Sequence, residues 1–216
     1  MKNTDSELLK ELKNKFNDEI DDRFYLPKAY WTGNKEMIKA IYLGCDPTNT
    51  KKNIQFDFAF SHGCNDKCFV LFRNKHLKQL EAIDLNWDMV YTQNLCRNYF
   101  KSETSKNKIW KYAAEFWIDL LKKELNNLFT VNIPVLLTSQ LLLDVLLIEK
   151  KRPEDYDAQM FYDLKTQIPI NPEKNKLGRP LIPFYRGVNG RTKVPYMLEV
   201  YPDYAKEIKK VVHMYN

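Results

Sequence analysis

Ile41-Tyr42-Leu43-Gly44-Cys45-Asp46-Pro47 reads as a short buried strand that leaves its sheet at a glycine and then presents a carboxylate. The apolar run is strand-like. Gly44 permits a sharp exit, and Pro47 fixes the backbone behind Asp46 while giving up only a donor that no ladder needs. Ligands of open α/β sheets gather at the carboxyl ends of the strands, where such a turn sits. Taken alone, the heptad is more simply a turn closed by a capping aspartate. Order along the rest of the chain changes that balance.

Working outward, Phe58-Ala59-Phe60-Ser61 follows the turn, and three more apolar runs each end in polar residues. Met89-Val90-Tyr91-Thr92-Gln93 stops at Asn94, Pro134-Val135-Leu136-Leu137 at Thr138-Ser139-Gln140, and Leu181-Ile182-Pro183-Phe184 at Tyr185-Arg186-Gly187. Strands are therefore expected near 39–43, 89–93, 134–137 and 181–184. Helical periodicity fills the gaps. Leu8, Leu9, Leu12, Phe16 and Ile20 recur at three- and four-residue steps after Ser6, an expected N-cap. A second helix is expected from Lys75 to Ala82, and a third on Ile109, Ala113, Phe116, Trp117, Leu120 and Leu121. Ser139 should cap a fourth through Leu147, and Pro195 should open a last one that buries Leu198, Ile208 and Val212 across Pro202. Trp110 and Trp117 read as core. This alternation predicts a three-layer α/β/α sandwich with a central, mostly parallel four-stranded sheet.

At 216 residues, 44% hydrophobic and 13% aromatic, the chain can bury a sizeable core and suits one domain over 1–216, with 1–37 as an N-terminal helical extension. The charged opening residues lack a signal-peptide core, and Asp144 interrupts the greasiest stretch, 141–148. A soluble, cytoplasmic monomer with no membrane partner is expected. Four unevenly spaced cysteines suggest no disulfide framework, and Cys45, Cys64, Cys68 and Cys96 lack the paired spacing of a metal site, so neither metal nor cofactor is expected. His76 and His213 read as surface or helix-face residues without catalytic partners. Net charge is +6, and between Asn171 and Val194 lie Lys174, Lys176, Arg179, Arg186, Arg191 and Lys193 against Glu173 alone. Such a loop suits a phosphate backbone, since each neutralised phosphate releases condensed counterions; it also suits a plain solvated loop.

The series Gly44-Cys45-Asp46-Pro47, Phe60-Ser61, Asn94, Ser139 and the segment after 181–184 resembles the uracil-DNA glycosylase superfamily over about residues 38–212. The family's first motif is a Gly-x-Asp-Pro turn and its second follows the last strand. The resemblance implies DNA, single or double stranded and lesion-containing, as the partner, and hydrolysis of an N-glycosidic bond as the reaction. It implies that Asp46 orients a water, that Gly44, Cys45, Phe60 and Asn94 line the base site, and that Ser61 and Ser139 grip the backbone. Asn189, Arg191 and Lys193 fall where the family inserts a loop into the duplex.

The chemistry agrees with those residue types. Breaking an N-glycosidic bond leaves positive charge on the sugar and negative charge on the base, so the site needs a carboxylate near one and donors near the other. A base taken out of its stack needs an aromatic face and hydrogen bonds to its pairing edge, and an amide supplies both a donor and an acceptor. Plainer readings stand beside each assignment: Phe60 as core alternating with Phe56 and Phe58, Asn94 as a turn residue, Ser139 as an N-cap alone.

Three departures from the family pattern bear on function. The histidine of the last motif is replaced in Arg186-Gly187-Val188, and Arg186 can oppose an anion but cannot shuttle a proton. Thr48 stands where several relatives carry a tyrosine, which leaves base selectivity open. Cys45 adds little polar capacity beside Asp46. A catalytically silent nucleic-acid-binding protein on the same fold is the alternative, followed by an unrelated α/β enzyme acting on a small phosphorylated molecule.

Overall fold

The computed structural model describes residues 4–149, 157–187 and 196–214. Its strands are β1 (Ile20–Asp21), β2 (Ala40–Gly44), β3 (Val90–Asn94), β4 (Tyr99–Phe100), β5 (Val135–Leu137) and β6 (Leu181–Pro183). Its helices are α1 (Asp5–Phe16), α2 (Lys67–Glu81), α3 (Trp110–Leu128), α4 (Gln140–Leu146), α5 (Ala158–Tyr162), α6 (Tyr196–Val200) and α7 (Pro202–Met214).

Four strands form one sheet in the order β3-β2-β5-β6, and every pairing is parallel. All four are buried throughout, as parallel strands sandwiched between helices must be. Side chains alternate across the sheet, so Tyr42 and Tyr91 point to opposite faces. Tyr42 bonds His76 of α2 on one face, and Tyr91 donates to Glu124 of α3 on the other. The expected α/β/α layering follows from those two contacts.

Trp110 and Trp117 lie in the core as their helical spacing predicts, and the Trp117 indole donates to Asn98 Oδ1 at 2.9 Å. Burial of Leu8 and Leu12 fastens α1, each contributing about 1.5–3 kcal/mol. The α1 cap is Thr4, in a reciprocal capping box with Glu7, rather than Ser6. Ile20 has left the helix for β1, which pairs antiparallel with β4. The N-terminal extension is thus only partly helical. Beyond α1 it is tied down by isolated bridges from Lys28 to Phe58 and from Tyr30 to Thr92.

Two more helices depart from expectation. α2 begins well before Lys75 because Asp66 caps it, accepting from Cys68 N at 2.9 Å. The last helix is two helices, α6 and α7, since the ring of Pro202 denies α6 a continuation and suits the first position of α7. Leu198 is exposed, whereas Met197, Ile208 and Val212 are buried. No described helix is long and apolar enough to cross a membrane.

Candidate active site

Parallel register decides which side chains meet. β2 pairs β3 with Gly44 opposite Asn94, and β2 pairs β5 with Leu43 opposite Leu137, one residue before Thr138. Pro183 lies opposite Leu137, so Phe184 to Arg186 leave the sheet at the same edge. A cavity of about 580 Å³ opens there. Gly44, Cys45, Asp46, Phe60, Ser61, Asn94, Ser139 and Arg186 all line it.

Asp46 is held at both oxygens. Oδ1 accepts from Thr48 N at 2.9 Å and Oδ2 from Thr104 Oγ1 at 2.7 Å. Burial raises its pKa above the ordinary carboxylate range, and the Thr104 and Thr48 hydrogen bonds act against that rise. The Trp110 indole also favours the charged form, although it forms no hydrogen bond of ordinary length. The carboxylate is therefore more basic than in water and fixed in direction.

Beside Asp46, Gly44 is required by close approach. A Cβ there would stand 2.8 Å from the Phe60 ring and closer still to Asn94 Oδ1. The ring and the amide thus converge over one glycine. Phe60 is not on a strand. It lies in a single 3-10 turn (Ala59–Ser61) with φ +54°, and Ser61 follows with φ +58°. Two consecutive non-glycine residues in the left-handed region cost of order 1 kcal/mol or more each, strain typical of functional sites. That backbone delivers the Phe60 ring to the cavity. The Asn94 side-chain amide makes no hydrogen bond to any described residue, while its backbone N–H is occupied by Gln93 Oε1 at 2.9 Å. Its donor and acceptor are left for whatever fills the cavity.

Ser139 caps α4 by accepting from Leu141 N at 3.2 Å, so cap and cavity roles coexist. Burial pushes the Cys45 thiol up to about 12, with the Ser139 hydroxyl pulling the other way. A thiol so protonated is no nucleophile. Ser61 donates to the Phe60 carbonyl at 2.6 Å, which uses its only proton. Arg186 is exposed on the cavity rim and forms no ion pair among the described residues. Its segment is anchored where Gln79 of α2 donates to Gly187 O at 2.8 Å; a Cβ on Gly187 would collide with the Tyr185 ring.

The expected basic loop does not act as a unit. Arg179 is fully buried and donates to Leu125 O, Asn126 Oδ1, Phe129 O and Thr130 O. It closes the C-terminal end of α3, where a cation meets carbonyls with no helical partner. Lys176 pairs with Glu115 at 2.6 Å. Asn189, Arg191 and Lys193 lie outside the described residues.

His76 is buried rather than on the surface. Its Nδ1 meets the Tyr42 hydroxyl at 2.6 Å, and burial lowers its pKa to about 3, with Arg186 adding to the effect. His62 is likewise buried and lowered to about 4, its ring stacked on Tyr30. Cys68 is exposed, Cys64 half-buried and Cys96 buried. Among the described residues no group of His, Cys, Asp and Glu is arranged to hold a metal ion.

Residues not anticipated from sequence complete the acid side of the cavity. Phe100 N donates to Thr48 Oγ1 at 3.0 Å, Thr104 to Asp46, and both Thr50 N and Oγ1 to Glu103 Oε1 at 2.8 and 2.6 Å. Residues 100–104 thus strap the 46–50 turn at three successive alternate positions. Nothing local in the sequence marks this pairing, since the partners lie more than fifty positions apart. No protein-family model matches the chain, and a search of curated proteins returns no significant match.

Proposed function

We propose that the protein hydrolyses the N-glycosidic bond of uracil or a related damaged base in DNA, with Asp46 activating the attacking water. The observation that carries this reading is the meeting of Asp46, Phe60 and Asn94 around Gly44 in one cavity. Its volume of about 580 Å³ lies within the range of small-molecule sites.

In this mechanism an extruded base lies against the Phe60 ring and pairs its polar edge with the Asn94 amide. Asp46 takes a proton from water as the water oxygen bonds to the anomeric carbon. The bond from that carbon to the base nitrogen breaks, its electron pair leaving on the base. Each Asp46 oxygen already accepts one donor and keeps a lone pair for the water. Arg186 follows β6, two strands from β2, which at about 4.8 Å per strand sets it roughly 10 Å away across the cavity mouth. From there the guanidinium opposes the negative charge of the departing base without giving up a proton. The base anion takes its proton from solvent.

The test is a panel of single- and double-stranded oligonucleotides carrying uracil or other lesions, assayed for free base. Asp46→Asn should reduce release by roughly 100- to 10,000-fold and leave DNA affinity within a few-fold. One observation favours a second reading, a nucleic-acid-binding protein without turnover. Among the described residues the two buried histidines on the Phe60 side are held neutral, His76 against the Tyr42 hydroxyl and His62 stacked on Tyr30, and neither supplies a proton to the leaving base. Binding across the whole panel with no base released would select it.

A further inference from the structure

We propose that the outer face of α2 binds single-stranded DNA, Phe72 stacking the base next to the extruded one while Lys67, Lys75 and Lys78 meet its phosphates. The proposal rests on the reading above only for placing a nucleotide in the cavity.

Lys67, Leu71, Lys75 and Lys78 recur at three- and four-residue steps and form one stripe of α2. All four are exposed. Phe72 sits on the edge of that stripe nearest the cavity, which it lines. Its ring lies 24° from parallel to that of Phe60, with centroids 6.3 Å apart, so the aromatic surface continues from the base site onto the helix. Leu71 is 59% exposed and turned outward, whereas Phe72 packs against His76, with ring centroids 4.3 Å apart, and against Phe60, yet keeps 38% of its surface open where it lines the cavity. Core packing accounts for only part of the Phe72 ring.

Charge selects the occupant. From Lys67 to Leu80 the helix carries no acidic residue, and Lys67, Lys75 and Lys78 form no ion pair among the described residues. Arg73, the remaining cation, turns inward to donate to Ser61 O at 2.6 Å. Arg186, exposed on the cavity rim, extends the positive charge. Aromatic faces interleaved with unpaired lysines are what a single strand requires, because its unpaired bases offer π-faces and its phosphates attract cations. In a duplex the neighbouring base keeps its face inside the stack. Phe72 then has nothing to stack on.

The experiment uses the full chain and fluorescence anisotropy on a single-stranded oligonucleotide with one uracil, alongside versions lacking the base on either side of it. Phe72→Ala should weaken binding roughly 5- to 100-fold. Removing the stacked neighbour should weaken the wild type comparably and Phe72→Ala little further. Because Phe72 also touches Phe60, Lys67→Glu with Lys75→Glu gives a separate readout: the slope of log affinity against log salt should flatten by about 1.4 for two lost contacts. Unchanged affinity in Phe72→Ala, fully additive losses from the neighbour deletion, or an unchanged salt slope overturns the proposal. So does an equal loss on duplex, or a change of molecular mass on charge reversal, which would make α2 a contact between protein copies. Base release that persists with none of these effects sinks this proposal alone; the effects without base release sink the glycosylase reading alone.

Discussion

Asp46 and Arg186 face one cavity from the ends of β2 and β6, yet the chain holds them differently. Asp46 is half-buried, takes one hydrogen bond on each oxygen, and sits on a turn strapped to 100–104. Arg186 is exposed and without an ion-pair partner among the described residues, although its neighbours are held, Gly187 by Gln79 and Tyr185 by packing on Tyr162 and Tyr201. Proton transfer demands a base within hydrogen-bond reach and in a set direction, so a fixed acid is consistent with general-base work. A guanidinium opposing a spread negative charge tolerates adjustment and need settle only when the ligand is present. On the proposed mechanism the two rims divide the work between a preorganised anion and a cation that settles when the substrate binds.

Three substitutions probe that division. Arg186→Ala should lower the rate of base release by roughly 100-fold while Arg186→Lys restores part of it, as expected for a charge opposing the leaving base. Single-turnover kinetics separate this from weaker DNA binding, and a pure affinity loss would assign Arg186 to phosphate contact. Gly44→Ala should destabilise the fold by about 1–3 kcal/mol, measured by urea unfolding, and weaken binding of the extruded base, because the new methyl displaces both Phe60 and Asn94. Retention of full stability and activity would show that the two groups do not converge over Gly44. Thr104→Val gives the smallest effect. Loss of its hydrogen bond raises the Asp46 pKa further, and the reaction needs the deprotonated carboxylate, so the acid limb of the pH-rate profile should move to higher pH. Below that limb the loss should be roughly 3- to 10-fold, with Thr104→Ser returning the profile. A uniform loss at every pH would mean that Thr104 only supports the turn.

Much of this arrangement was legible from local pattern. Four apolar runs ending in polar residues located the strands within about one residue and named one edge as the site, because buried parallel strands must be continuously apolar and must stop where the chain turns. Asp46 after Gly44, Asn94 at the end of β3 and Ser139 after β5 follow directly. Phe60 was expected at the base site, with strand-like alternation as the plainer reading; it lines the cavity from a 3-10 turn instead, since no rule of period two foresees two successive left-handed residues. Arg179 and Lys176 were counted with a phosphate-binding loop because charge on a chain carries no sign of burial. The open end of α3 claimed Arg179, and Glu115 claimed Lys176.

The residues alone determined the layers, the strand ends and the acid that emerges from the turn, because periodicity and turn chemistry act over a few neighbours. The tertiary structure decided that Gly44 stands opposite Asn94, that Thr104 holds Asp46, and that α2 sets Phe72 at the cavity with its lysines exposed beside it. Those outcomes depend on parallel register and on contacts between segments about fifty positions apart. No local spacing encodes them.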